Sequence, residues 1–462
     1  MRKVEIFCGA ALAVSLLFGG ATQKGIASDD LVQAVCVLAL AFALPEVGRI
    51  SARGGKLILA LIALIVLVPL VQLISLAPNL WSALPGRAPV IETYQSAGLP
   101  LPQLAISTSS WATERASFAL LPPISIFLGF LACDYTARRR LWIMVLIVGI
   151  VSILLQMAQL AGGPSSALRF HSYTNIYVGV GFFANNNHTA AFLYALIPIA
   201  AYLYANASRN QPRLALAALL FFYAMIIVGL VMTASRSALA LGGLSWALTY
   251  IFLLRGLFNR AANSRTATWA LAAGALLIAA FLAANFGLEL ILDRIKGKDI
   301  LADSRWMLDR LTFEAAKSFF PFGSGLGSFS RAFPLFQSVN TTLPAIVNHA
   351  HNDYVEVLME TGAFGAATIL GWFALAIRAG YLNAGERIPE LKTERVAATI
   401  VLSLLCLHSL WDYPVRTSAV AALFAAASAV LSTALLTPRA GRAPEETHRE
   451  SFAADHRQAA TG

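Results

Sequence analysis

Long apolar runs, separated by short polar segments, recur along the whole chain. A helix needs about 20 consecutive apolar residues to cross the hydrocarbon core of a bilayer, and most of these runs are about that long. We predict about twelve membrane helices. They lie at 4–22, 31–48, 57–77, 117–134, 141–161, 188–205, 214–233, 237–254, 267–286, 363–380, 396–411 and 415–436. The pattern therefore predicts an all-α, polytopic integral membrane protein.

The first run allows two interpretations. Arg2 and Lys3 precede it, and Gly25-Ile26-Ala27 follows it as a candidate cleavage site, which is the layout of a secretory signal peptide. The same residues suit an uncleaved membrane helix, which we favour. Either interpretation leaves the orientation of the remaining helices unchanged.

Composition excludes two broad classes of protein. Of the 462 residues, 58% are hydrophobic and 13% are charged, whereas soluble domains have about 45–50% apolar and about 25% charged residues. A soluble cytosolic enzyme lacks such a composition, and a disordered protein needs the opposite one. The four cysteines lie in or beside apolar runs without CxxC spacing, so they indicate small core side chains rather than disulfides or a zinc site.

Basic residues are concentrated in alternate connections between the predicted helices. With the N-terminus inside, every inner connection contains Arg or Lys, whereas over half of the outer basic residues lie in one long loop, 287–362. Long loops cross the membrane whatever their charge, so the bias predicts that both termini are cytoplasmic. Membrane orientation thus accounts for the net charge of +10, and without a basic face this charge indicates no nucleic-acid partner.

The predicted domain organisation is simple. Residues 1–436 form one polytopic transmembrane domain, and residues 437–462 form a polar cytoplasmic tail that we expect to be disordered. Two outer segments, 78–116 and 287–362, are long. A loop as long as the second one is usually functional.

Ionisable residues are scarce in the middle of the predicted helices. Glu46, Asp134, Arg236 and Asp412 lie at helix ends. A proton-coupled transporter needs carboxylates near the midplane, so the pattern disfavours one and places any chemistry at the outer surface. A transporter or scaffold without catalysis remains the alternative from another class. The interior polar residues Gln72, Gln156 and Gln159 are predicted to form hydrogen bonds between helices.

The first informative stretch of the long loop runs from Asp303 to Glu314. Asp303 or Ser304 suits a helix cap, and Arg305 and Asp309 are four residues apart. Arg310 and Glu314 repeat that spacing, and several aromatic residues lie between and after them. On spacing alone this is an interfacial amphipathic helix with paired or solvated arginines. Residues 321–327, Pro-Phe-Gly-Ser-Gly-Leu-Gly, then predict a tight turn that lets the backbone approach a ligand or a helix end.

The second stretch, residues 348–365, contains His349 and His351. A metal site is one interpretation, with Asp353 or Glu356 as a third ligand. An ordinary helix-capping loop is another. A histidine that faces water at a membrane surface is also a natural general base, which is the interpretation we favour. We expect no metal and no other cofactor.

Two further outer segments carry polar side chains. Thr233-Ala234-Ser235-Arg236-Ser237 forms the turn between the seventh and eighth predicted helices, where an arginine alone indicates only snorkelling to the interface. Phe183-Ala184-Asn185-Asn186-Asn187-His188 begins the sixth helix, where asparagines are typical of caps and turns.

Together these segments resemble the O-antigen ligase / O-antigen polymerase superfamily of bacterial envelope glycosyltransferases. The resemblance covers about residues 170–380. In chain order its motifs are FANNNHTA from Phe183, SRSA from Ser235, SRW from Ser304, PFGSGLG from Pro321, HAHNDY from His349 and ETG from Glu360. Asn186 stands where the family often has proline. Each motif is short, and their order, spacing and common side make the resemblance specific.

The resemblance implies a function and a set of site residues. The donor is a glycan on undecaprenyl pyrophosphate, transferred with inversion and without metal at the periplasmic face of the inner membrane. His351 is implied as the catalytic base, with His349 as the reserve candidate. Arg236 and Arg305 are implied to hold the pyrophosphate, because a guanidinium binds phosphate oxygens in pairs. The further implied substrate-binding residues are Asn352, Asp353, Arg310, Asn185 and Asn187.

For the acceptor we favour a ligase, which transfers the glycan to lipid A–core. The closest alternative is a polymerase of the same superfamily, which extends a growing polysaccharide, and a third possibility is transfer to protein hydroxyls. All three share the donor, and membrane lipids surround the protein in each case.

Overall fold

The computed structural model describes residues 2–22, 26–255, 300–343 and 346–436, and most of these residues are helical. The main helices are α1 (Arg2–Phe18), α2 (Ala27–Ala43), α3 (Lys56–Gln72), α4 (Ser110–Phe118), α5 (Leu121–Ala132), α6 (Tyr135–Ala161), α7 (Asn186–Ala207), α8 (Pro212–Met232), α9 (Arg236–Thr249), α10 (Ile300–Phe319), α11 (Asp353–Ala384), α12 (Pro389–His408) and α13 (Ser418–Ser432). Shorter helical segments cover Leu44–Glu46, Val47–Ile50, Ser51–Gly55, Pro78–Trp81, Ala88–Ser96, Tyr250–Leu254, Phe329–Ala332, Phe333–Phe336, Pro414–Arg416 and Thr433–Leu435. The strands β1 (Ser75–Leu76) and β2 (Leu104–Ala105) pair antiparallel, with Ser75 opposite Ala105.

The all-α membrane class is confirmed, whereas the number of twelve spans is not. Every predicted run except 267–286, which lies outside the described residues, overlaps a helix. Within the described residues, 8 helical segments are long and apolar enough to cross a membrane. One of them, Ala27–Gln72, contains both α2 and α3, because the chain stays helical through the bend at Gly54 (φ 90°). The predicted cytoplasmic tail, 437–462, also lies outside the described residues.

Two predicted helix starts are wrong. The helix predicted at 363–380 begins ten residues earlier, at Asp353, and bends at Gly362 (φ 59°, ψ −138°). Asp303 and Ser304 do not begin a helix, because α10 already includes Ile300. The first difference arises because an apolar run marks where a helix enters hydrocarbon, whereas its hydrogen-bonded turns continue into the polar segment before it. The second arises because Asp and Ser also occur inside helices, so a residue type that suits a cap does not by itself mark a helix start.

The core of the bundle is built around α7. About 78% of the residues in its most apolar stretch are buried. The helix packs against α12, α8, α9 and α6. The alanine-rich α13 packs against α5, α12 and α1, because small side chains let helix backbones approach closely where no water drives association.

Ion pairs join several of the connections that the charge pattern places together on the inner side. Arg138 at the start of α6 donates to buried Glu394 in α12 at 2.8 Å. Arg209 pairs with Glu390, and Arg140 pairs with Glu5 at 2.6 Å. The predicted grouping of the connections therefore agrees with the packing.

The PFGSGLG segment packs against the bend in α11. Ser324 N donates to Met359 O and Gly325 N donates to Glu360 O, each at 2.9 Å. A Cβ atom on Gly323 would lie 2.3 Å from Glu360 O, so only glycine allows this approach. The predicted tight turn thus meets helix backbone.

Gln72, at the end of α3, completes this contact and forms the predicted hydrogen bond between helices, to Glu360 in α11. Its Nε2 donates to Glu360 O at 2.9 Å and to Phe322 O at 3.1 Å. Its Oε1 accepts from Leu326 N at 2.9 Å. For the other two glutamines the prediction is wrong. Gln159 binds loop backbone, through Gly181 and Leu168, and the side-chain amide of Gln156 has no hydrogen-bond partner among the described residues.

Candidate active site

Three helix N-termini come together at one end of the bundle, and each is capped by a residue of the sequence motifs. Asn185 caps α7 by accepting from Asn187 N at 2.8 Å. Ser235 caps α9 by accepting from Ala238 N at 3.3 Å. Asn352 caps α11 by accepting from Tyr354 N at 3.1 Å and from Val355 N at 3.2 Å. Helix N-termini carry partial positive charge and favour anions.

Asp412, between α12 and α13, connects these termini. Its carboxylate is fully buried. Oδ2 accepts from Asn187 Nδ2 at 2.6 Å, and Oδ1 lies 3.4 Å from His351 Nδ1. Arg305 Nη2 lies 3.8 Å from Oδ2. Ser235 Oγ donates to Asn187 Oδ1 at 2.7 Å. We call these five residues the Asp412 cluster.

His351 has an unusual backbone. Its φ is 60°, in the left-handed region that side chains with a Cβ rarely adopt. Among the described residues, the other non-glycine residue with positive φ is Ala234, directly before Ser235. Such strain costs roughly 1–3 kcal/mol and is typical of functional sites. Both strained residues lie at or beside the Asp412 cluster.

The orientation of the His351 ring suits a base. Nδ1 faces Asp412, the ring packs edge-on against Tyr413 at 5.0 Å between centroids, and 21% of the side chain is exposed. The 3.4 Å contact does not have hydrogen-bond geometry, but a carboxylate beside Nδ1 favours the tautomer with its proton on that atom, which leaves Nε2 to accept a proton.

His349 has different surroundings. Its side chain is 9% exposed, and Nδ1 lies 2.7 Å from Glu356 Oε1. The ring packs on Tyr413 at 4.4 Å. The two histidines therefore face different carboxylates. In the described part of the chain, no group of three or more His, Cys, Asp or Glu side chains is arranged to hold a metal ion.

Arg305 presents a guanidinium that is partly satisfied. Nη1 donates to Trp411 O at 3.1 Å, and Nε is buried without a partner among the described residues. The side chain is 29% exposed. The group therefore has donors left for a ligand and a carboxylate that holds it in place.

The remaining predicted residues divide into two groups. Asp353 is buried and bound by Ser409 Oγ at 2.8 Å and Arg416 Nε at 3.2 Å, so its carboxylate is occupied by protein. Arg310 is exposed on α10, and Arg236 is exposed as the first residue of α9. Arg305 and His351 both approach the carboxylate of Asp412. The helix of Arg236 is linked to the same carboxylate through its cap Ser235 and Asn187.

Burial raises the pKa of both Asp412 and Asp309, and nearby positive charge lowers it, but the net shift differs between the two acids. Burial opposes ionisation of Asp412, but contact with His351, followed by Arg305, outweighs it and holds the pKa of Asp412 well below its usual range. Asp309 lies one turn after Arg305, and burial raises its pKa to about 6, although Asn352, His351 and Arg305 act against this. Asp412 is therefore ionised at neutral pH, whereas Asp309 titrates near the working range.

Sequence reasoning assigned no role to Asp412, Tyr413 or Arg416. Arg416 Nη1 lies 2.8 Å from Glu360 Oε2 and 3.3 Å from Glu356 Oε1. The available signal was the polar turn Trp411-Asp412-Tyr413-Pro414 between two apolar runs on the outer side. A polar turn at a helix end is ordinary by itself, so it gave no reason to assign chemistry.

The fold and the site define a polytopic helical membrane protein with an arginine–histidine–carboxylate site at one end of its bundle. Residues 220–370 match the family model described as O-antigen ligase. This match confirms the resemblance to the O-antigen ligase superfamily, whose members are glycosyltransferase-like enzymes of polysaccharide biosynthesis. The matched residues include Arg236, Arg305 and His351. No curated protein matches the chain significantly.

Proposed function

We propose that the protein transfers a glycan from undecaprenyl pyrophosphate to a hydroxyl of lipid A–core, at the periplasmic face of the bacterial inner membrane. The proposal includes cytoplasmic termini and one transmembrane domain over 1–436 with its catalytic loop at 287–362. One observation carries it: His351 and Arg305, 46 residues apart by their numbers, meet at the buried carboxylate of Asp412.

The His351–Asp412 pair supplies the base. The acceptor hydroxyl gives its proton to Nε2 of His351, while Asp412 stabilises the imidazolium that forms. The acceptor oxygen bonds to the anomeric carbon as the bond between that carbon and the pyrophosphate oxygen breaks. This single displacement inverts the anomeric centre, and the electron pair of the broken bond leaves on the pyrophosphate.

Arginines stabilise the leaving group. Arg305 has donors available beside His351, and Arg236 stands at the N-terminus of α9. A guanidinium binds two phosphate oxygens in a fixed geometry, and helix N-termini add partial positive charge. These groups stabilise the pyrophosphate most strongly in the transition state, where its negative charge is growing, and this lowers the barrier to transfer. This displacement needs no metal ion.

A polymerase that extends carrier-linked polysaccharide uses the same donor chemistry and is the second candidate. The charge pairing of the buried carboxylates disfavours a proton-coupled transporter. Each buried carboxylate of the described residues contacts an Arg or His side chain. These carboxylates belong to Glu46, Asp353, Glu356, Glu360, Glu394 and Asp412.

A deletion strain distinguishes the acceptors. For a ligase, gel analysis of surface polysaccharide shows carrier-linked polymer without attachment to lipid A–core. For a polymerase, it shows single repeats only. Wild-type gene restores the normal pattern, and His351→Ala, present at normal level in the membrane, does not. An unchanged polysaccharide pattern in the deletion strain, or full restoration by His351→Ala, would overturn the proposal.

A further inference from the structure

A cavity lies outside the Asp412 cluster. It has a volume of about 350 Å³, within the range of small-molecule sites. The start of α2, the helix α4 and the residues around the start of α13 enclose it. Its polar and aromatic lining comprises Asp29, Asp30, Gln33, Trp111, Glu114, Arg115, Arg416 and Ser418.

The lining combines flat apolar surface with hydrogen-bond acceptors. Trp111 is 58% exposed, and the Arg115 guanidinium packs over its ring at 4.9 Å, which holds the ring in place. Glu114 and Asp30 are exposed carboxylates, and an ionised carboxylate is purely an acceptor. A ring with apolar faces and several hydroxyl or ammonium donors fits this combination.

The charge of the cavity argues against a phosphate ligand. Three carboxylates line it, from Asp29, Asp30 and Glu114. Of the two guanidiniums, that of Arg416 already contacts the carboxylates of Asp353, Glu356 and Glu360. The carboxylates that line the cavity repel an anionic ligand. The pyrophosphate therefore belongs at the Asp412 cluster, and a neutral or amino-substituted ligand belongs here.

Arg416 connects the cavity with the Asp412 cluster. It lines the cavity and binds Asp353, the first residue of α11 and the neighbour of its cap Asn352. His351 directly precedes that cap. Arg416 thus joins the lining of the cavity to the helix start that directly follows the turn of His351.

We propose that this cavity is a glycan subsite, which binds a neutral or amino sugar of one of the two substrates while the reacting sugar lies at the Asp412 cluster. The inference rests on the proposed function, because it assigns a part of the same glycan substrates to the cavity. The sugar comes either from the donor glycan or from the acceptor glycan, and kinetics separates the two.

The test uses the purified full-length protein in detergent with donor and acceptor varied in turn. Trp111→Ala and Glu114→Gln each raise one KM by about tenfold, since each removes one contact of moderate strength, while kcat is unchanged. A raised donor KM assigns the subsite to the donor, and a raised acceptor KM assigns it to the acceptor. Glu92→Gln, an exposed carboxylate in the same outer segment, is the matched control and keeps both KM values.

Binding without turnover separates this inference from the proposed function. Radiolabelled oligosaccharide, released by mild acid from the strain's own surface polysaccharide, is measured by equilibrium dialysis. His351→Ala binds it like wild type, whereas Trp111→Ala binds it at least about tenfold more weakly. Unchanged KM values and unchanged binding in both cavity variants, with normal thermal melting, overturn the subsite even where His351→Ala abolishes transfer.

Discussion

His351 Nδ1 lies 3.4 Å from Asp412 Oδ1, although the two residues belong to segments separated by the whole of α11 and α12. Asp412 is fully buried, and its second oxygen is held by Asn187 at 2.6 Å. A buried, ionised and oriented carboxylate beside a partly exposed imidazole is the arrangement that prepares a histidine to accept a proton.

Asp412→Asn should strongly reduce glycan transfer. The amide keeps the size of the side chain, but it removes the charge that stabilises the imidazolium. Its NH2 group would also face another donor, Asn187 Nδ2 or His351 Nδ1. We expect kcat to fall by about 10²-fold or more, with protein level unchanged. Glu390→Gln, at a partly exposed ion pair with Arg209, keeps wild-type activity as a control. Wild-type kcat in Asp412→Asn would contradict this role.

Arg305→Lys should impair turnover although it keeps the charge. A lysine ammonium is a point charge and cannot bind two phosphate oxygens as a planar fork does. We expect kcat to fall by about tenfold or more, since charge-assisted hydrogen bonds are worth about 1.5–3 kcal/mol each. Arg331→Lys, an exposed arginine outside the site, is the matched control. Equal kinetics for both variants would argue against pyrophosphate binding by Arg305.

Asp309 should make donor binding depend on pH. Burial raises its pKa to about 6, so it is mostly neutral below that pH and mostly ionised above it. An ionised Asp309 repels the pyrophosphate and competes for Arg305. We expect the donor KM to rise between about pH 5 and pH 7, and to rise less in Asp309→Asn. The result against this prediction is an identical KM profile for variant and wild type.

Removing divalent ions should leave activity intact. The arginines and helix N-termini supply positive charge at the leaving group, so no metal ion is needed to neutralise it. The measurement is transfer by purified enzyme before and after treatment with a chelator. Loss of activity that Mg²⁺ or Mn²⁺ restores would show that the proposed charge balance is incomplete.

Gly362→Ala should destabilise the protein. The backbone there has φ 59° and ψ −138°, a region nearly restricted to glycine and costing about 1–3 kcal/mol for other residues. The new Cβ would also lie 2.1 Å from Pro321 O. We expect a lower melting temperature in detergent. Gly380→Ala in the same helix meets nothing within 4 Å, and it should leave stability unchanged or raise it slightly.

Sequence patterns predicted the fold class well and the helix ends less well. Apolar runs of about 20 residues report where hydrocarbon surrounds the chain, and this requirement is local. The start of α11 at Asp353 depends instead on the Asn352 cap and on Arg416, which binds Asp353 and Glu356 from a segment about 60 residues later. The apolar pattern contains no trace of that contact.

By itself the sequence determined a polytopic helical protein, the grouping of its connections by side, and the motif residues His351, Arg305 and Arg236, because hydropathy, charge bias and short motifs are properties of neighbouring residues. The tertiary structure alone decided that His351 faces Asp412 while His349 faces Glu356, and that Arg305 joins the first pair. Such pairings are set by how the helices pack across the bundle. The distance between two residues along the chain does not indicate whether they meet there.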